Sequence, residues 1–327
     1  MLASAYINLL GSKKKFKRIL VVKLDEIGDM VTALHVFYNL HNTYPDVSID
    51  VYCKPVNRIF FKYLNYVHCV EMLSNEAQFD LIVELRGNQE TLAYSLKHKP
   101  RYRLDRGTVR LKNKLKGGQK NEIYTNAEII EPLVNTVDLN NKIITGASEK
   151  ETINDLLEHE NMAHFVLVHA GARDAARRWP PKRFAAVVNH INQTYDWPCI
   201  LVGGSDDASI NDEILSNVKQ KINLNVAGTL NLLEYAELAK RASLFVGNES
   251  GPLHIAASAK IPLVALFGPG VRNVFYPLGK NVKILHYFLA KGHKKQTLEN
   301  STIFHIQVQE VIDAVDQFIK KGLRIQS

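Results

Sequence analysis

At 327 residues, 46% hydrophobic and 23% charged, the chain has the composition of an ordinary folded protein with room for two domains and two buried cores, which excludes a disordered tail. Its three cysteines, Cys53, Cys69 and Cys199, are widely spaced and in no C-x-x-C arrangement, which argues against a disulfide framework or a zinc site and for a reducing cytoplasm. The formal net charge is +8, and its position along the chain matters more than its size.

In chain order, "MLASAYINLL" sets Leu2, Tyr6, Leu9 and Leu10 at helical spacing, and Lys13, Lys14, Lys15, Lys17 and Arg18 follow at once. An interfacial membrane segment is built that way, and a frayed terminus is the alternative. The charges come after the apolar part, the reverse of a secretory signal, and no apolar run approaches the roughly 18 residues of a membrane span. The expected protein is neither exported nor membrane-spanning. "RILVVKL" then reads as a buried strand, "MVTALHVFYNLHNTY" as a helix, "VSIDVYC" as a strand, and "FDLIVEL" as another strand ending at "RGN".

Between Lys97 and Lys120, ten Lys or Arg face the single Asp105. The charge excess of the whole chain therefore lies in one patch. A solvated basic loop is one reading, and a site for an anionic partner is the other: nucleic acid, an acidic glycolipid or a membrane surface. The polar "SEKETINDLLEHENM" reads as a helix between two halves, which puts the domain boundary near Glu160 (1–160 and 161–327). From there strand "FVLVHAG", helix "KRFAAVVNHINQTY" and strand "PCILVGG" start a second β-α-β series. Helix "NLLEYAELAKRA", strands "SLFVG" and "IPLVALFG" and a last amphipathic helix "VQEVIDAVDQFIKK" continue it. Alternation of this kind predicts an α/β protein, two domains with parallel sheets covered by helices and facing across a cleft.

The stretch "FVGNESGPLHIAASA" reads as strand, tight turn and helix start at a strand's carboxyl end, where open parallel sheets bind ligands. Gly251 permits close backbone approach, and the free N–H groups of the helix favour an anion, the outline of a diphosphate site. The alternative is a capped helix, with Asn248 or Ser250 at the cap, Pro252 in the first turn and His254 against its neighbour.

These segments, "ILVVKLDEIGDMVTALHVF", "VHAGARDAARRWPPKRFAAVV", "VGGSDD", "NVAGTLNLLEYAELAKRASLFVG" and "GNESGPLHIAASAKIPLVALFGP", together resemble the family 9 glycosyltransferases, in the family's order and over nearly the whole chain. The resemblance implies a GT-B fold of two Rossmann-like domains. It also implies metal-independent, inverting transfer of a sugar from a nucleotide donor, ADP-heptose, to the lipid A-linked core oligosaccharide of lipopolysaccharide. The enzyme would work on the cytoplasmic face of the inner membrane, in peripheral contact with it. Glu249, Ser250, Gly251 and His254 match the donor-site motif, where the family more often has Asp first; the extra methylene of Glu249 bears on which sugar is moved. Arg177 falls where the family commonly has a phosphate-binding lysine, with Arg178 beside it, and a surface ion pair is the plainer role for Arg177. Gly171 and Ala172 are further donor contacts. Asp29 falls on the catalytic base, which an acceptor hydroxyl needs to become a nucleophile; a helix cap is its alternative role. Lys23 and Asp25, the latter where the family usually has a serine, are assigned to the acceptor, as are Arg101, Arg103 and Arg106 of the basic stretch.

The chain has no D-x-D triplet, no H-E-x-x-H and no spaced Cys/His set, and it lacks the Gly-rich dinucleotide and P-loop signatures. No metal or cofactor is therefore expected, and donor phosphates would be met by Arg, Lys and helix ends. Two other classes stay open: a GT-B sugar-nucleotide enzyme such as an epimerase, and a nucleic-acid-binding protein using the basic stretch. The latter offers only Tyr102 for base stacking, so no nucleic-acid partner is expected.

Overall fold

The computed structural model describes residues 15–326 apart from 117, 119, 161, 221–222, 269–271 and 288–301. Residues 1–14 of the proposed interfacial segment lie outside that set. The chain divides into two compact units, Met1–Ile144 and Thr145–Ser327.

In the first unit a five-stranded parallel sheet has the order β3-β2-β1-β4-β5, formed by β1 (Arg18–Lys23), β2 (Ser48–Cys53), β3 (Val67–Val70), β4 (Leu81–Arg86) and β5 (Tyr102–Asp105). Ile19 to Val22 are at most 1% exposed, as expected for a central strand covered on both faces. The pairing of β1 with β4 slips between Val22 and Lys23, so that Lys23 comes level with Arg86. Such an irregularity re-aims side chains at a strand end. The single helix expected from Met30 is two helices, α1 (Ile27–Val31) and α2 (Leu34–Thr43). At the break the Thr32 hydroxyl donates to Asp29 O at 2.8 Å, and Ala33 N–H reaches back three residues to Met30 O. A Thr hydroxyl that takes up a backbone carbonyl tightens and ends the turn.

Helix α3 (Gln89–His98) follows β4, capped by Asn88. The basic stretch is not a loop. It forms β5 and then α4 (Arg106–Leu115), whose first turn Asp105 caps by accepting from Thr108 N–H at 3.0 Å. Helix α5 (Glu122–Ile130) packs on α4.

The second unit holds helix α6 (Ala147–His159) and a six-stranded parallel sheet of order β11-β10-β9-β6-β7-β8. Its strands are β6 (Val166–His169), β7 (Cys199–Leu201), β8 (Leu224–Asn225), β9 (Leu244–Asn248), β10 (Leu263–Phe267) and β11 (Val282–His286). The helices are α7 (Pro181–Tyr195), α8 (Ala208–Ser216), α9 (Leu232–Arg241), α10 (Gly251–Ser258), α11 (Arg272–Phe275) and α12 (Val308–Gln326). Trp179, Phe184, Val188 and Ile191 meet Val311 and Val315 of α12 in the core.

The division falls at Ile144/Thr145 and not near Glu160, because α6 belongs with the second unit. Arg241 of α9 donates to Asn154 at 2.7 Å, and the Thr145 hydroxyl donates to Glu237 at 2.7 Å. Polarity made α6 read as a connection; it is a surface helix docked on α9. The cysteines are free, and among the described residues no helix is long and apolar enough to cross a membrane.

Candidate active site

At the carboxyl end of β1, the first unit gathers charge to a degree uncommon in a buried place. Lys23, fully buried, sets its Nζ 2.8 Å from Asp25 Oδ2 and 3.9 Å from Glu122 Oε1. Arg106, 7% exposed, brings one guanidinium nitrogen 2.6 Å from Glu122 and another 4.0 Å from Asp25. Arg86 approaches Asp25 at 3.4 Å, and Arg110 approaches Glu122 at 3.4 Å. Each of these two carboxylates is thus shared among three cations, the arrangement that makes a buried charge tolerable.

Asp29 borders this network without being consumed by it. It lies in the first turn of α1, whose N-cap is Glu26, so the capping role does not apply. No described residue donates a hydrogen bond to its carboxylate. Burial pushes its pKa up, the Lys23 charge opposes that, Asp25 and Glu122 add to the rise, and Arg106 opposes it. A half-buried carboxylate with raised proton affinity, to which no described residue donates, has the properties that a general base requires.

The basic stretch does not stand as a single free patch. Arg103 donates to Glu84 at 2.7 Å and to Asp105 at 3.3 Å, and Arg106 is committed to Glu122. Of the three arginines assigned to the acceptor, Arg101 alone faces solvent, its guanidinium over the Tyr102 ring at 5.2 Å.

In the second unit the loops after β6, β7 and β9, neighbours in the sheet, converge on α10. Asn248 ends β9 fully buried, donates to Ala170 O at 2.7 Å and accepts from Trp179 N–H at 3.3 Å, tying two of these loops together. It is therefore no helix cap. Ser250 occupies the N-cap position of α10, yet its side chain caps nothing. Its hydroxyl lies 3.0 Å from His169 Nδ1 and 3.2 Å from Asn248 O. On the far side of the ring, His169 Nε2 is 3.4 Å from Asp207 Oδ2. The carboxylate calls for a proton on Nε2, which leaves Nδ1 to accept from Ser250. Burial alone would raise the Asp207 carboxyl; the His169 hydrogen bond, the Gly204 N–H and Arg178 outweigh it and hold the pKa low. The Asp207–His169–Ser250 chain engages the Ser250 hydroxyl, which makes no cap bond to α10, and a helix start left uncapped in this way favours an anion.

Gly171 leaves room for the Asp207 carboxylate: a Cβ at this position would fall 2.0 Å from Asp207 Oδ1 and would force that side chain to move. The Ala172 carbonyl accepts from Arg178 Nε at 2.8 Å, so Arg178 braces the loop. Arg177 and Glu249, both assigned to the donor, pair with each other at 2.9 Å; Glu249 is 7% exposed, and Arg177 keeps a solvent-facing edge. The ion-pair role for Arg177 is thus present, though its acid is buried and not on the surface. Gly251 opens α10, and His254, 6% exposed, has its pKa lowered by burial to about 4, so it is a neutral imidazole at neutral pH. Among the described residues no group of three His, Cys, Asp or Glu side chains is placed to hold a metal ion.

With this geometry in view, the profile of glycosyltransferase family 9 (heptosyltransferase) matches residues 78–303. The chain belongs to glycosyltransferase family 9. It is 24% identical over 291 residues to lipopolysaccharide heptosyltransferase 3 of Escherichia coli, covering 78% of this chain and 84% of that one. It is also 24% identical over 284 residues to lipooligosaccharide heptosyltransferase 2 of Campylobacter jejuni, covering 81% and 85%. Among solved structures, the family 9 glycosyltransferase from Veillonella parvula superposes with a TM-score of 0.78 at 16% identity, covering 95% of this chain and all of that one. The E. coli ADP-heptose lps heptosyltransferase II gives 0.74 at 19%, covering 93% and 99%. The fold is GT-B, and the chain is a glycosyltransferase.

Sequence reasoning missed Glu122, Arg86, His169 and Asp207 as parts of these clusters. His169 had a signal, a polar residue closing an apolar strand in "VLVHAG". Glu122 had none: it starts a helix nearly a hundred residues from Lys23, and only the fold brings them together.

Proposed function

We propose that this family 9 enzyme transfers a heptosyl group from ADP-heptose to a hydroxyl of the lipid A-linked core oligosaccharide, with inversion and without a metal ion. It would do so at the cytoplasmic face of the inner membrane. The observation that carries the reading is the Asp29 carboxylate, raised in proton affinity and accepting no hydrogen bond from any described residue beside a cationic network, in a chain whose relatives are named heptosyltransferases.

In the reaction the acceptor oxygen attacks the anomeric carbon on the side opposite the leaving ADP. As that C–O bond forms, the bond from the anomeric carbon to the phosphate oxygen breaks, and Asp29 takes the hydroxyl proton. The charge left on ADP is met by the N–H groups at the start of α10 and by Arg177. For Arg177 to serve, donor phosphate competes with Glu249 for its guanidinium, which carries five N–H groups and can hold both. Glu249, freed in part, accepts from sugar hydroxyls. Lys23 and Arg106 hold Asp25 and Glu122, so that the base works in a preorganised field.

The test is ADP release from purified protein given ADP-heptose with and without a deacylated core acceptor, alongside GDP- and UDP-sugars. The reading expects release that needs the acceptor and an ADP-sugar. Turnover of donor alone at a comparable rate would point to an epimerase-type enzyme, and preference for another nucleotide would refute the donor assignment.

A further inference from the structure

Helix α4 is built inside out. The residues it buries are Arg106 and Asn113, 7% and 5% exposed, while its leucines Leu111 and Leu115 stand 39% and 80% exposed. The inward side chains meet acids of α5, Arg106 pairing with Glu122 at 2.6 Å and Asn113 donating to Glu128 at 2.8 Å, and the more exposed Arg110 approaches Glu122 at 3.4 Å. Leu111 and Leu115, four residues apart, share one stripe of the outer face. Around that stripe lie the exposed Lys112 and Lys114, with Lys116 just past the helix end. Among the described residues no carboxylate pairs with Lys114 or Lys116.

We propose that this outer face of α4 docks on an anionic lipid bilayer, its leucines entering the acyl boundary and its lysines reaching headgroup phosphates. The inference rests on the reading that the acceptor is a glycolipid held in a membrane, and it names the surface that meets that membrane. Apolar side chains ringed by cations are the composition of an interfacial helix. A second copy of this chain is the wrong occupant. A two-fold contact through the same face would set Lys112, Lys114 and Lys116 against their own copies. The inner end of the same helix carries Arg106, which contacts Glu122 and approaches Asp25 in the cluster beside Asp29. Docking by α4 therefore fixes the base relative to the bilayer that holds its substrate.

The experiment compares the full chain with Leu111→Ser/Leu115→Ser and with Lys112→Ser/Lys114→Ser/Lys116→Ser. Partition is measured on phosphatidylglycerol–phosphatidylethanolamine vesicles and on phosphatidylcholine vesicles, without donor or acceptor. Wild type should partition onto the anionic vesicles and poorly onto the zwitterionic ones, and each variant should lose about tenfold in partition. Both variants should keep wild-type thermal stability and wild-type transfer to a deacylated, water-soluble acceptor, while transfer to acceptor embedded in vesicles falls with partition. Three outcomes overturn the proposal: undiminished partition of the leucine variant, partition lost only when residues 1–12 are removed, or a concentration-dependent dimer that the leucine substitutions abolish. Because partition is read without turnover, a wild type inactive on the soluble acceptor would refute the functional reading separately.

Discussion

A carboxylate that serves as a base must be held in a place where its charge is uncomfortable but not cancelled, and Asp29 meets that condition. Its pKa is raised above the ordinary 3.8, with burial the largest cause. The sign of the stability consequence follows. Above the raised folded value the native state carries the full penalty of the charge; the penalty shrinks as pH falls towards 3.8 and is gone below it. Asp29→Asn should therefore melt higher than wild type at pH 7, with a gain that fades on acidification through that window; a variant less stable at pH 7 would show that the carboxylate supports the fold. Asp29 could be singled out as a candidate because it follows a strand in "KLDEIGDM" within a family-like motif, whereas its surroundings could not be read from the sequence. Asp25 and Lys23 are local in sequence, but Glu122 and Arg106 reach the cluster only through the packing of α4 and α5 against the sheet.

At the scale of elements, hydrophobic runs marked the central strands β1, β4, β6, β9 and β10, since strands buried on both faces are written as continuous apolar runs. The short edge strands β3 and β5 escaped: "VHCV" is too brief to register, and β5 lies within a stretch whose charge dominated its reading. That charge was correctly located and wrongly joined, because a count of lysines and arginines cannot tell which side chains turn inward to acids. The turn before α10 reads as a ligand-binding outline from its own residues, but the side chains that engage the Ser250 hydroxyl come from the end of β6 and from the segment after β7, far away in sequence. Gly171 tests that arrangement. Gly171→Ala should push Asp207 off His169, return the Ser250 hydroxyl to the helix start and weaken donor binding about tenfold, roughly the 1.4 kcal/mol of one displaced hydrogen bond. Calorimetric titration with ADP measures it; unchanged affinity would show that the Asp207–His169–Ser250 chain does not govern the donor turn.

For the molecule as a whole, alternation of strands and helices made two parallel-sheet units readable, while the boundary was misplaced by about fifteen residues because a polar helix docked on a surface resembles a linker in sequence. The proposed chemistry divides between these units: the first supplies the base and its charged surroundings, and the second binds the nucleotide. That division is the central claim, and Asp29→Asn tests it most directly, with single-turnover transfer and donor affinity measured on the same preparation. A lost general base costs about 10²- to 10⁴-fold in rate, roughly 3 to 5 kcal/mol of barrier. The account predicts a folded protein that binds ADP-heptose with near-wild-type affinity and transfers at least a hundredfold more slowly; transfer within threefold of wild type would contradict it and place the base elsewhere.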